Sequence, residues 1–268
     1  MKHRIAVDIG GTFTDAVAIA ADGTERTAKA LSTPGDLSAG VLSAIGGLGV
    51  DLTDVDLFVH GTTAGLNAFL ERRGVRVALV TTKGFRDVYE IGRANRPAMY
   101  DVCYRPPAPL TRRRDVYELD ERLAADGSVL RPLRAEEVRE LARRLREGYD
   151  AVAIVLLHAY VSPHHEVETA RILAEDAPAL TIVASHAVAP EWREYERTST
   201  TVTSAYIAPI VGMYLERLET ELETRGLRRP LRVMQSNGGV MTARVARSKP
   251  IQTLLSGPVG GTVAGVTV

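Results

Sequence analysis

The sequence predicts an α/β fold, and three observations carry the prediction. Strand-like apolar runs alternate with segments of helical period along most of the chain. The run from Ala151 to Leu157 is continuous enough for a strand buried on both faces of a parallel sheet. The N-terminal stretch reads as a three-stranded meander, broken at Gly10-Gly11 and at Asp22-Gly23, the second being a strong hairpin signal.

The meander strands are expected over residues 4–9, 13–19 and 24–31. Asp36 is placed to cap a helix over 37–45, with Gly46-Gly47 as its stop, and Asp56 to His60 is a short apolar strand. Thr62 or Thr63 opens a helix running to Arg73 and ending at Gly74, before a strand from Val75 to Val80. Residues 84–134 are irregular. Pro97, Pro106, Pro107, Pro109 and the run Arg112-Arg113-Arg114 point there to an insertion or long loop, with two short strands near 115–121 and 128–131. A helix over 135–147 puts Val138, Leu141, Ala142 and Leu145 on one face, and a helix near 163–175 precedes a strand at 180–184. From Ser199 to Arg225 the pattern is a long helix interrupted by Pro209 and stopped at Gly226. A second domain is read to begin there, dividing the chain into 1–198 and 199–268. Leu231 to Met234 is a strand, Asn237-Gly238 a turn, and Ser256 to Gly261 a loop entering a further helix.

Composition excludes more than it identifies. Lys plus Arg and Asp plus Glu each number 33 among 268 residues, so a formal net charge of zero gives no electrostatic case for nucleic acid, acidic or membrane partners. Cys103 is the only cysteine, which rules out an intrachain disulfide and a cysteine-based zinc site and fits a reducing cytoplasm. No apolar run reaches the roughly 18 residues of a membrane span, and the N-terminus enters its first strand without the regions of a leader.

Chemistry concentrates between Arg4 and Ile19, where two apolar strands flank an acidic, glycine-rich, hydroxyl-rich turn. Gly10 and Gly11 permit a tight reversal and close approach of a ligand, and their N–H groups with that of Thr12 would form an anion-binding concavity. Thr12 and Thr14 add hydroxyl donors. Asp8, at a strand end, is placed to hold magnesium through water, since that ion keeps most of its waters and uses one or two carboxylates plus phosphate oxygens. A plain hairpin with Asp8 capping the turn is the competing reading. His60, Thr62 and Thr63 end a strand and open a helix, a position suited to phosphate or a substrate carbonyl, or simply to a threonine cap beside a packed histidine. Arg93, Asn95 and Arg96 offer bidentate contacts to a carboxylate or phosphate, or a solvated loop. Glu194, Glu196 and Arg197 suit a helix start with or without a role in catalysis. His158, His164, His165 and His186 are poorly spaced for a shared metal.

The turn resembles the first phosphate motif of the actin, Hsp70 and sugar-kinase superfamily, and with Phe13, Thr14 and Asp15 it resembles more narrowly the hydantoinase A and 5-oxoprolinase family. Further segments resembling that family follow in its order. They are His60-Gly61-Thr62-Thr63 with Asn67, Leu70 to Gly74, Thr81 to Asp87, Ile91 to Arg93 with Asn95 to Pro97, Ser185-His186, Pro190-Glu191 with Arg193 to Thr200, Met234 to Gly239, and Ser256-Gly257-Pro258. The resemblance implies a ribonuclease H-like (actin-like ATPase) domain with an inserted irregular region, followed by the truncated start of a second domain. It implies use of ATP and Mg2+ to phosphorylate a ring amide oxygen, as in hydantoinases and 5-oxoprolinases. ATP-dependent ketone carboxylase subunits, of acetone or acetophenone type, are the alternative, as is an incomplete fragment acting through a partner. Asp8, Asp15 and His60 then become the catalytic candidates, and Gly10, Gly11, Thr12, Thr14, Thr62 and Thr63 the nucleotide contacts. The implied partners are a cyclic amide, a hydantoinase B-type subunit or domain, and a C-terminal lobe. The family's second acidic Gly-Gly-Thr motif is not found, so a piece of a longer protein, a split gene or a truncated product is expected.

Overall fold

The computed structural model describes residues 2–33, 35–95 and 98–257. In chain order it contains β1 (His3–Ile9), β2 (Phe13–Ala20), β3 (Glu25–Leu31), α1 (Leu37–Leu48), β4 (Val55–Gly61) and α2 (Ala64–Leu70). Next come β5 (Val77–Thr82), α3 (Val88–Ile91), β6 (Val116–Leu119), β7 (Arg122–Leu123), β8 (Val129–Arg131) and α4 (Ala135–Leu145). They are followed by β9 (Ala151–Val155), α5 (His164–Asp176), β10 (Thr181–Ala184), α6 (Ser185–Val188), α7 (Glu194–Thr224), β11 (Arg232–Met234), β12 (Val240–Thr242) and α8 (Ala243–Ser248). These elements form two compact units, Met1–Gly74 with Ile210–Val268, and Val75–Pro209.

The first unit is built on a six-stranded sheet of order β12-β11-β4-β1-β2-β3. β1, β2 and β3 form the expected antiparallel meander, while β4 and β11 run parallel to β1 and to each other in succession. Alternation along β1 places Ile5, Val7 and Ile9 in the core and leaves Ala6 and Asp8 on the other face. α1 covers β1–β3 with Val41, Ala44, Ile45 and Leu48. It runs through Gly46-Gly47 and stops at Gly49, whose φ of 61° is the left-handed cap conformation. Gly47 serves close packing instead, since a Cβ there would lie 3.0 Å from Ala28 Cβ. The Asp36 side chain makes no cap bond; it pairs with Arg217 at 2.6 Å. α2 is shorter than expected, ending at Leu70.

The second unit carries a four-stranded parallel sheet of order β10-β9-β5-β6 and the separate hairpin β7-β8 around Asp126-Gly127. β5 belongs here, although a ribonuclease H-like reading of the first elements places it beside β4, where β11 stands. Its six residues are all buried, as suits an interior parallel strand. β6 likewise joins this sheet and is no part of an irregular insertion. Val138, Leu141, Ala142 and Leu145 of α4 pack with Val80, Val152, Ile154 and Ile172 in its core.

α7 starts five residues before the expected Ser199 and continues through Pro209. Within this Thr/Ser-rich stretch, Thr198 and Thr201 return their hydroxyls to the carbonyls of Glu194 and Arg197, four residues back, so these side chains are satisfied inside the helix and do not cap its start. Arg96 and Pro97, and the loop and helix expected from Pro258 onward, lie outside the described residues.

Candidate functional site

In the first unit, the parallel strands β1, β4 and β11 end on one edge of the sheet, the edge at which open α/β sheets take their ligands. Three segments gather there: the Gly10–Thr12 turn, the Gly61–Thr63 link to α2, and the Gln235–Gly239 turn. Ser256 joins the second by donating its hydroxyl to the Thr62 carbonyl at 3.1 Å.

The Gly10 N–H donates to the Phe13 carbonyl at 2.9 Å and closes the hairpin, so it is not one of the free donors that the sequence suggested. Gly11 and Thr12 are exposed, and their N–H groups make no hydrogen bond among the described residues. Neither Gly10 nor Gly11 has a positive φ; a Cβ at Gly11 would meet nothing within 4 Å and would project into open space beside the turn. Gly11 therefore leaves room; it does not relieve backbone strain.

Asp8 stands opposite Asp15 on β2 and Gly61 on β4. A Cβ at position 61 would lie 2.4 Å from Asp8 Oδ1, so only glycine lets the carboxylate rest against β4. The Asp8 side chain still reaches solvent, but crowding by the neighbouring strands removes part of its hydration. That desolvation, with the charge of Asp15 second, holds its carboxyl above the usual carboxylate range. Asp15 is itself engaged by Lys29 at 2.8 Å, and Lys29 also lies over the Phe13 ring.

Several expected ligands are construction instead. His60 is fully buried. Its Nδ1–H donates to the Val7 carbonyl at 3.3 Å, which leaves Nε2 to accept from the Tyr214 hydroxyl at 2.6 Å. Burial lowers its pKa from 6.5 to about 4, so it is a neutral core histidine and not an acid–base group at the loop. Thr14 points into the core, sharing a 3.2 Å hydrogen bond with Ser32 and packing beside Gly40. Thr62 is buried and accepts from the Ala64 N–H at 3.2 Å. Thr63 donates to the Ile9 carbonyl at 3.0 Å and tethers the start of α2 to the end of β1. What remains open beside Asp8 is the backbone of Gly11 and Thr12 and the Thr12 side chain.

The second unit holds the other candidates. Arg93 binds Glu196 through two hydrogen bonds, so the two residues serve each other. With Asn95, Tyr104 and Tyr195, Arg93 lines a cleft of about 370 Å³. Each histidine has its own partner. His164 bonds Ser162 at 2.7 Å, His165 bonds Glu121 at 2.6 Å, His186 bonds Glu166 at 2.8 Å, and His158 reaches Tyr160 at 3.4 Å. No group of three or more metal-ligating side chains occurs among the described residues. The sequence reading placed Gly61 in the strand-to-helix segment without giving it a role of its own, although a glycine directly after a strand histidine signals close backbone approach, and it passed over the buried carboxylates Glu121 and Glu166, for which spacing offers no signal.

A meander continued by parallel strands, with a glycine turn and a strand-end aspartate on their shared edge, defines an actin-like ATPase fold of ribonuclease H-like type. The chain matches the hydantoinase/oxoprolinase N-terminal region over residues 4–177 and hydantoinase/oxoprolinase over 197–268, and it belongs to that family. It is 38% identical to an uncharacterised protein of Methanocaldococcus jannaschii, covering 98% of this chain and 40% of that protein. It is 34% identical to caprolactamase subunit alpha of Pseudomonas jessenii, covering 100% and 40%. The structure of that ATP-dependent caprolactamase superposes with a TM-score of 0.85 at 35% identity, covering 99% of this chain and 40% of the other. Nucleotide-free acetone carboxylase superposes with a TM-score of 0.89 at 27% identity, covering 98% and 40%. The chain thus spans about 40% of the length of these relatives. No helix among the described residues is long and apolar enough to cross a membrane.

Proposed function

We propose that this chain forms the phosphate-handling part of an ATP-dependent hydrolase that opens cyclic amides by phosphorylating the ring amide oxygen. The observation that carries the reading is the turn itself: free Gly11 and Thr12 N–H groups and open space at Gly11, beside an Asp8 that Gly61 allows to sit at the strand end. Family membership and the ATP dependence stated for caprolactamase and acetone carboxylase support nucleotide use.

Amide resonance makes a ring amide a poor electrophile. Transfer of the γ-phosphoryl group from ATP to its oxygen leaves ADP and an electrophilic carbon. Water adds there, the ring C–N bond breaks as the nitrogen takes a proton and leaves as an amine, and the acyl phosphate that remains is hydrolysed to carboxylate and inorganic phosphate. In such transfers the protein mainly positions groups and stabilises charge. The Gly11 and Thr12 N–H groups supply fixed donors to phosphate oxygens, and Thr12 adds a hydroxyl. Asp8 fits a cation held through water, since it is a solvent-reaching carboxylate on the same face as a second one, Asp15. Magnesium, when bound, would neutralise phosphate charge there. Asp15, paired with Lys29, sets the charge around Asp8, while His60, Thr14, Thr62 and Thr63 hold the edge in shape.

Relatives named as the alpha subunit of caprolactamase, the gamma subunit of acetophenone carboxylase and the beta subunit of acetone carboxylase support a multi-subunit enzyme, with a hydantoinase B-type partner as the reading for this protein. The single cysteine supports a cytoplasmic setting. A ketone carboxylase subunit is the second reading, favoured by the acetone carboxylase superposition. Two measurements on the full-length protein with its partner test the proposal. Asp8→Ala should abolish cyclic amide-dependent ATP hydrolysis while leaving the fold intact, and normal turnover by a folded variant would refute the site. Substrate-dependent bicarbonate consumption would transfer the assignment to the carboxylases.

A further inference from the structure

Lys29, Asp15, Asp8 and Gly61 stand in one row across β3, β2, β1 and β4, on the face of the sheet away from Ile5, Val7 and Ile9. Residues directly opposite on adjacent strands project to one face with their Cβ atoms about 5 Å apart, and like charges placed so destabilise a sheet. Asp8 and Asp15 are such a pair. A cation answers Asp15 alone: Lys29 Nζ lies 2.8 Å from its Oδ1, while the Asp8 carboxylate meets no donor among the described residues.

Two features of Lys29 go beyond a cross-strand pair. The side chains of Lys29 and Asp15 are 58% and 55% exposed, so their bond is of the surface kind that a competing ion displaces at little cost. The ammonium also lies 4.8 Å from the centroid of the Phe13 ring, and this contact holds it near the turn when it leaves Asp15. Phe13 directly follows Gly11 and Thr12, whose N–H groups are open.

We propose that Lys29 is a positioning residue that stands in for a divalent cation at the Asp8–Asp15 pair. It holds Asp15 before phosphate binds, and yields it to the cation that arrives with phosphate. Two carboxylates and one ammonium leave the row with one net negative charge, which holds a bare divalent ion weakly. An ion carried on phosphate brings further negative charge, and that charge attracts the freed ammonium over Phe13. The row thereby favours cation and phosphate together over the cation alone. The inference deepens the phosphate-handling reading and rests on it.

The probe is Mn2+, counted free and bound by electron paramagnetic resonance with the full-length protein at low ionic strength, with and without ATP. Lys29→Gln removes a unit charge about 6 Å from the ion, a repulsion equivalent in water to about tenfold in affinity for a divalent ion. Bare Mn2+ should therefore bind Lys29→Gln about tenfold more tightly than wild type. Lys29→Arg, which keeps the charge, should bind as wild type does. Asp8→Asn in the Lys29→Gln background should remove the gain, and Mn2+ carried on ATP should show none. Lys29 is exposed, so its replacement leaves the packed core intact. Equal affinity of wild type and Lys29→Gln for an Asp8-dependent Mn2+ overturns the inference and leaves the proposed function standing. A gain that survives Asp8→Asn places the ion elsewhere, one matched by Lys29→Arg shows that charge is not what acts, and one that persists on ATP shows that phosphate does not engage the ammonium. Each of these overturns the inference. Absence of Asp8-dependent Mn2+ from every variant overturns it together with the cation role of Asp8. The expected gain, combined with normal turnover by Asp8→Ala, overturns the proposed function alone.

Discussion

Gly61→Ala separates the phosphate-site reading from a purely structural hairpin. The added methyl carbon would lie 2.4 Å from Asp8 Oδ1, whereas ordinary contact begins near 3.4 Å, so the carboxylate oxygen must move by about 1 Å or the strands must part. Moving the end of one short, solvent-reaching side chain is the cheaper route, and β4 has no other close atom of its neighbours to displace at this point. Gly61 is itself buried, but the atoms in the way of a Cβ all belong to Asp8, so stability should change by about 1 kcal/mol or less. Function should respond differently, because a misplacement of about 1 Å costs on the order of 100-fold in a positioned reaction. In the full-length protein with its partner, thermal unfolding and the kcat of cyclic amide-dependent ATP hydrolysis are measured together for wild type and variant. A large loss of kcat with little change in Tm supports an Asp8 held for chemistry. Unchanged kcat in a folded variant would refute the argument that the position of Asp8 matters, and loss of both would make Gly61 a folding residue.

Two further outcomes follow from the same geometry. His60 has its pKa lowered from 6.5 to about 4, so the unfolded chain takes up a proton below pH 6.5 that the folded chain refuses until about pH 4, and stability falls with acidification across that window. The loss attributable to His60 is about 2 kcal/mol at pH 5; urea unfolding at pH 7 and pH 5 should show it in wild type and not in His60→Gln, and a His60 titration near 6.5 by NMR would refute it. Gly11→Val should weaken magnesium-ATP binding in the full-length protein far more than His164→Ala, since its side chain enters the open space beside the turn; equal affinities by calorimetry would make Gly11 merely structural.

The fold was legible where the code is local. Period-2 alternation and Asp22-Gly23 located β1–β3, and helical period found the buried face of α4 residue by residue. Sheet membership was not legible, because β5 and β11 are both short apolar runs and nothing local says which of them pairs with β4. The start of α7 was hidden by threonines whose capping and back-bonding uses look identical in sequence. At the proposed site, the turn and Asp8 were legible as a strand–turn–strand because Gly-Gly after an apolar strand is a local signal, although acid and glycine at a strand end also make plain hairpins, as Asp22-Gly23 does here. His60, Thr14 and Thr62 misled because residue type reports the chemistry a side chain can perform, while strand parity decides whether it faces solvent. Thr14 lies one residue from Asp15, and the pleat sends them to opposite faces.

That parity also bears on how the edge works. The hydroxyls and the imidazole that look most reactive are spent on fixing backbone: Thr63 on the Ile9 carbonyl, His60 on the Val7 carbonyl and Tyr214, Ser256 on the Thr62 carbonyl. Thr63 ties the start of α2 to the end of β1, His60 ties β4 to β1 and to α7, and Ser256 ties its own segment to the link before α2, so together they brace the edge from which the Gly11 and Thr12 N–H groups project. In the proposed phosphate site, donors held this way would need little reorganisation on the arrival of phosphate charge, which is the condition under which backbone dipoles stabilise it best. A site built from backbone is specified by what is absent at Gly11 and Gly61, and by one carboxylate, Asp8, whose position depends on that absence.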